Sequence, residues 1–328
     1  MKISPSDLKS SIRLFITGFS MGTADLIPGV SGGTIAFLSG IYDELIFSIK
    51  LVTGDVLKEV LKFRFKQAIR LIPFKFLIPL GLGLLSAVAT LANLLSYLLA
   101  TFPIFVWSFF FGLVIASTFI VLKRVVKWDL SDKVAFVISA VAAYFIVGAV
   151  PVETPQALIY FFLSGAVAII AMILPGISGS FILLLIGKYS QVLAAVTEKN
   201  IAVLASVGIG AVVGLALFSR VLSWLFTKHH DISVAILAGF MLGSVRKIWP
   251  WKEVVMTRIN SHGVEVTLAD KNILPQNFDI SLLLAVFLAA VGGFLVYFLD
   301  SKHVVVEQTK DVENKEFEKE YKESLKNQ

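Results

Sequence analysis

The chain has 328 residues, of which 57% are hydrophobic and 16% charged, with a net charge of +6 and no cysteine. A water-soluble domain carries roughly a quarter charged residues, so this composition excludes an ordinary soluble fold. The missing cysteines exclude disulfides, thiolate chemistry and cysteine metal sites. The basic excess calls for no nucleic-acid partner, because Lys and Arg of a membrane protein gather in its cytoplasmic loops.

The first apolar segment begins near Ile12 and lacks a cleavage pattern, so no cleavable signal peptide is expected. Segment 10–50 is apolar but broken by Pro28-Gly29-Val30-Ser31-Gly32-Gly33. Proline removes a backbone donor and glycine permits a reversal, so a re-entrant hairpin or two full spans would both fit. The basic stretch 50–75 follows, with Lys50, Lys58, Lys62, Arg64, Lys66, Arg70 and Lys75, and 55–72 reads as an amphipathic surface helix. Continuous spans are expected at 76–99, 104–122 and 134–150. A second broken segment, 156–194, carries Pro175-Gly176-Ile177-Ser178-Gly179-Ser180, and spans at 201–226, 232–246 and 280–299 complete the membrane part. The charged tail from Ser301 is expected as a solvated helix.

Shifting the chain by 147 residues superimposes 18–46 on 165–193 with identities at 10 of 29 positions, among them Gly18/Gly165, Gly40/Gly187 and Tyr42/Tyr189. A shift of 127 then pairs Gly81/Gly208, Gly83/Gly210 and Gly112/Gly239. Each copy holds an odd number of crossings beside a hairpin, so the second enters the membrane upside down. The predicted fold is an all-α polytopic membrane protein, an inverted-repeat bundle of about six transmembrane helices plus two re-entrant helical hairpins. The first repeat is 1–150, the second 151–300, and 301–328 is a cytoplasmic tail. Both termini and 50–75 are expected inside; 151–157 and 247–279 are expected outside.

The two signatures, Ala24-Asp25-Leu26-Ile27-Pro28-Gly29-Val30-Ser31-Gly32-Gly33-Thr34 and Leu174-Pro175-Gly176-Ile177-Ser178-Gly179-Ser180, resemble those of the bacterial polyprenyl-phosphate translocases. Phe218-Ser219-Arg220, and Gly243-Ser244 followed by Trp249-Pro250-Trp251, also resemble family elements, and the likeness covers about residues 8–300. The resemblance implies a flippase that returns undecaprenyl phosphate across the cytoplasmic membrane for cell-wall polymer synthesis. It implies a lipid-phosphate substrate, a membrane-lipid environment and no cofactor. A homo-oligomer is compatible with it.

A phosphate within hydrocarbon needs donors and positive potential. Ser31, Gly32, Gly33 and Thr34 in one copy, and Ser178, Gly179 and Ser180 in the other, stand where a helix restarts with free N–H groups. The serines serve either as phosphate donors or as plain helix caps. Arg220 reads equally as a phosphate partner or as a side chain reaching for the interface. Asp25 reads as a proton-coupling carboxylate or as a structural acceptor of hairpin N–H groups, and its counterpart in the second copy is Met172. Lys188 reads as an interfacial residue, and Arg246 and Lys247 read as an anchor beside Trp249 and Trp251 or as cations that attract a phosphate from the outer leaflet. The histidines, His229, His230, His262 and His303, fall in loops or the tail without metal-ligand or nucleophile–base spacing, so a membrane enzyme acting on an isoprenoid phosphate is the weaker alternative. A transporter or channel for a soluble anion is the other.

Overall fold

The computed structural model describes residues 5–27, 30–259, 265–276 and 278–298. The tail from 301, and Pro28 and Gly29 of the first break, lie outside the described residues. In chain order the elements are α1 (Pro5–Asp25), α2 (Gly32–Leu38), α3 (Tyr42–Leu51), a π-helical turn (Val52–Val56), α4 (Leu57–Leu61), α5 (Phe65–Leu71), α6 (Phe74–Thr101), α7 (Pro103–Leu122) and α8 (Leu130–Val147). The second half follows as α9 (Leu158–Ile173), α10 (Gly179–Leu185), α11 (Tyr189–Thr197), α12 (Ile201–Lys228), α13 (His230–Ile248), β1 (Lys252–Ile259), β2 (Glu265–Asn272) and α14 (residues 280–298).

The six spans read from hydropathy all fall on helices: α6, α7, α8, α12, α13 and α14. Five of them are long and apolar enough to cross a bilayer, and α13 is the exception. It carries Asp231, Arg246 and Lys247, and it lies enclosed against α7, α8 and α12 with Val234, Ala235, Ala238 and Met241 wholly buried. A helix wrapped by other helices needs no lipid-facing surface.

The broken segments are more broken than one Pro-Gly interruption each. After every seven-residue helix the chain turns again, at Gly40 (φ +62°) and at Gly187 (φ +67°). Both turns are Schellman ends: Ile41 N–H donates to the Ala36 carbonyl and Gly40 to Phe37, while Lys188 donates to Leu183 and Gly187 to Leu184. Beyond the second turn α10 and α11 meet at 106°. At 1.5 Å per residue α10 is about 10 Å long and α9 about 24 Å, so neither covers the ~30 Å hydrocarbon layer by itself.

Two other expectations change. The surface helix read over 55–72 is split into the π-helical turn, α4 and α5. A third Schellman end stops α4, with Phe63 at φ +58° in place of glycine, and Glu59 pairs with Lys62 at 3.7 Å and Arg64 at 3.8 Å across the reversal. The loop read over 247–279 contains an antiparallel hairpin that sets Lys252 opposite Asn272, Glu253 opposite Lys271 and Val254 opposite Asp270.

Glycine seams hold the helices in parallel pairs. A methyl group on Gly18 would strike the Leu80 carbonyl, and one on Gly83 the Phe15 carbonyl, so α1 and α6 touch backbone to backbone. In the second half Gly165 meets Val207 and Gly210 meets Phe162, joining α9 to α12 at positions displaced by 147 and 127 residues. The other two pairs join the halves. Gly112 of α7 abuts Ala289 of α14, and Gly239 of α13 abuts Phe136 of α8. Small residues at such seams let van der Waals contact substitute for the hydrophobic drive that lipid removes.

Candidate functional site

The last carbonyls of a helix have no intrahelical donor. At the end of α9 the donors come from the other half of the chain. Ser31 Oγ–H donates to the Met172 carbonyl at 3.2 Å, and the buried Tyr42 hydroxyl donates to the Ile173 carbonyl at 3.1 Å. Gly33 lies against that same Ile173 carbonyl, where a Cβ would come within 2.8 Å. The two breaks are therefore packed onto each other inside the fold. Thr34 beside them is fully buried, and its hydroxyl has no hydrogen bond among the described residues.

The two restarting helices are capped differently. Gly32 N–H donates to Asp25 Oδ1 at 2.7 Å, and Gly33 N–H to Ser31 Oγ at 3.1 Å. With its proton on the Met172 carbonyl and a lone pair on the Gly33 N–H, Ser31 has no donor left. The start of α2 thus already faces a carboxylate. At α10, Phe181 N–H donates to Ser178 Oγ at 3.2 Å, and the Ser178 and Ser180 hydroxyls share one hydrogen bond at 2.8 Å. Two hydroxyls sharing one bond leave one O–H over, and Ser180 is exposed. Met172, in the position matching Asp25, brings no charge and is 40% exposed. Upstream, Pro175 is buried and Gly176 sits at φ +91° against Ser244 and Met241 of α13, which leaves no room for a side chain.

Of the remaining sequence candidates, Arg220 lies elsewhere. Its Nη1 donates to Ala216 of its own helix at 2.8 Å, and its guanidinium borders Gly54 in the π-helical turn. Gly54 is twelve residues beyond Tyr42, roughly 18 Å of helix from the meeting point. Lys188, read as an interfacial residue, is instead completely buried: Nζ donates to the carbonyls of Thr154 (3.1 Å) and Pro155 (2.7 Å) and to Gln191 Oε1 (2.9 Å), and it lies over the Phe161 ring. All three of its protons are engaged. Arg13 and Arg124 bind the carbonyls of Ser39 and Leu38 at the first turn.

Arg246 and Lys247 do not stand as isolated anchors. They line a pocket together with Gly148, Pro151, Phe181, Leu185, Asp270 and Asn272. Asp270 Oδ2 pairs with Lys247 at 3.2 Å and with Lys252 at 3.5 Å. Burial pushes the Lys252 amine down to about 8; the Asp270 charge opposes that shift and Lys247 adds to it. Lys252 and Asp270 escape a sequence reading because only the β-hairpin register brings them together. Tyr42 carried a signal, since it coincides with Tyr189 in the shifted alignment. Among the described residues no group of three or more His, Asp or Glu could hold a metal ion.

Broken helices meeting end to end within an all-helical polytopic bundle define a membrane protein of the discontinuous-helix class. The chain belongs to the undecaprenyl phosphate translocase-like family, which it matches over residues 21–266. It is 44% identical over 268 residues to the polyprenyl-phosphate transporter of Vibrio cholerae, covering 82% of this chain and 87% of that protein. It is 35% identical over 253 residues to the polyprenyl-phosphate transporter of Staphylococcus aureus, covering 72% of this chain and 85% of that protein. No solved structure gives a significant match.

Proposed function

We propose that this protein is a secondary transporter that moves undecaprenyl phosphate between the leaflets of the bacterial cytoplasmic membrane, the step that recycles the carrier of wall-polymer synthesis. The observation that carries the reading is the meeting of the two breaks, where Ser31 of one half holds the end of α9 in the other. Such a junction is where a discontinuous-helix transporter exposes backbone and hydroxyl groups to a polar cargo within the bilayer. The names of the two relatives support the substrate class. In this reading the halves, 1–150 and 151–300, are inverted repeats, each broken segment is re-entrant, and the basic loops and both termini are cytoplasmic. The protein is then a carrier and not an enzyme.

The asymmetric capping supports dividing the labour. The phosphate engages Ser178, Gly179 and Ser180, where a hydroxyl proton is left over. Ser31, Gly32, Gly33 and Thr34 form the opposing wall, with Asp25 supplying there the negative charge that the cargo supplies at α10. Arg220 meets the headgroup only at the cytoplasmic end of the path. A direct test places fluorescent polyprenyl phosphate in proteoliposomes and follows its loss from one leaflet to a membrane-impermeant quencher. Replacing both hydroxyls, Ser178→Ala with Ser180→Ala, should slow exchange about tenfold, the scale of one hydrogen bond to a charged group. Wild-type rates in that well-folded double variant would remove α10 from the path, and equal transport of a soluble organic anion would favour the soluble-anion reading.

A further inference from the structure

We propose that Arg246, Lys247 and Lys252 form a receiving site for a phosphate monoester at the mouth of the second hairpin, and that Asp270 of β2 occupies this site when phosphate is absent. The proposal rests on the transport reading and adds to it the place where cargo is first held.

Two lysines share one carboxylate there, and Arg246 lines the same pocket. The Lys247, Lys252 and Asp270 side chains are 18%, 13% and 22% exposed, so the cluster is partly withdrawn from water without being sealed. The same Asp270 oxygen serves both lysines. Lys252 Nζ also donates to the Lys247 carbonyl and lies over the Trp107 ring at 4.5 Å. Arg246 stacks on Tyr144 at 4.4 Å and donates to the Tyr144 carbonyl at 3.1 Å, and among the described residues it has no carboxylate partner. Three cations beside one carboxylate leave the pocket short of negative charge, and Lys247 adds to the burial that depresses the Lys252 amine. A phosphate monoester, with up to two charges and three acceptor oxygens, meets that shortage.

Position supports the role. Lys247 lies over the Phe181 ring at 5.3 Å, and Phe181 N–H binds Ser178 Oγ. The pocket and the α10 hydroxyls are thus about one helical turn apart along a seven-residue helix. Asp270 reaches the lysines from a two-stranded hairpin, so releasing it frees the mouth without disturbing the bundle. The carboxylate is an internal stand-in for the cargo, as Asp25 is at the start of α2.

The test uses the full chain in nanodiscs and geranyl phosphate, a soluble short-chain prenyl phosphate, as the titrated probe. Lys247→Gln with Lys252→Gln should weaken binding about tenfold or more, whereas Asp270→Asn should tighten it about threefold by removing the competitor. The charge-keeping pair Lys247→Arg with Lys252→Arg should stay within about threefold of wild type. Weaker binding in Asp270→Asn, loss in the arginine pair equal to that in the glutamine pair, or unchanged binding throughout would each overturn the site. Competition by inorganic phosphate at similar concentration assigns recognition to the phosphate group alone; competition only at far higher concentration assigns it to a lipid headgroup. Failure of the larger reading shows differently: wild-type protein that binds geranyl phosphate in this pattern but moves no fluorescent polyprenyl phosphate has the site without the transport.

Discussion

At the scale of single residues, what decides the site is which groups already have partners. Ser31 and Ser178 look equivalent in the sequence, yet one spends its proton on Met172 and the other shares with Ser180. The difference traces to mismatches within the aligned signatures: Gly33 stands where the second copy has Ser180, and Asp25 where it has Met172. Asp25 accepts from Gly32 at 2.7 Å, so Asp25→Asn keeps an acceptor oxygen but cancels the charge. If that charge couples proton and phosphate occupancy, the variant should still fold and bind while the pH profile of proteoliposome transport flattens. A wild-type pH profile would leave Asp25 as a cap only. The signatures were legible as residue types, because glycine, serine and proline declare a restart. Their hydrogen-bond partners were not, since Met172 and Ile173 contribute backbone carbonyls that no residue pattern encodes.

Among elements, the seams and the β-hairpin carry separable expectations. Gly208 and Gly210 are both repeated residues, but a Cβ meets the Phe162 carbonyl at Gly210 and nothing within 4 Å at Gly208. Gly210→Leu should force α9 and α12 apart and cost about 2–3 kcal/mol or more, whereas Gly208→Leu should stay within about 0.5 kcal/mol. Thermal unfolding in detergent, read by size-exclusion recovery, separates the two. On the hairpin, the folded Lys252 amine titrates near 8, below the roughly 10.4 of an unfolded lysine. Between those values the unfolded chain holds more protons, so stability should rise with pH from about 8 to 10.5, while below 8 the full penalty remains. Lys252→Met should flatten that rise by about 3 kcal/mol across the window. An unchanged slope would mean the hairpin opens before the bundle melts. The hairpin was hidden in the sequence because its strands mix charged and apolar residues without strict alternation, whereas the spans declared themselves by length. The second turns at Gly40 and Gly187 were announced as repeated glycines, and their meaning as Schellman ends came only with the φ values.

For the whole molecule, the proposed topology makes a sharp expectation about sidedness. In a cysteine-free chain, Gln156→Cys and Lys271→Cys should react with an impermeant maleimide on intact cells, and Val60→Cys only after permeabilisation. Labelling of position 60 on intact cells would overturn the inverted arrangement and the cytoplasmic assignment of 50–75 together. The polytopic class followed from composition and span length alone, because those reflect the bilayer itself as solvent. Which helix pairs with which could not follow, because lipid-facing and protein-facing apolar residues look alike in a hydropathy reading.

The pairing of α7 with α14 and of α8 with α13 also sets a timetable for synthesis. As the ribosome finishes α8, the glycine face of α7 still lacks Ala289, and α8 lacks Gly239. α8 must wait in the bilayer until α13 is made, and α7 until α14 is made, their seams covered by lipid or by insertion machinery. The interlock between the halves closes only when α14 leaves the ribosome, so assembly waits for that helix instead of proceeding half by half. Quality control then has one late event to sense, the arrival of α14.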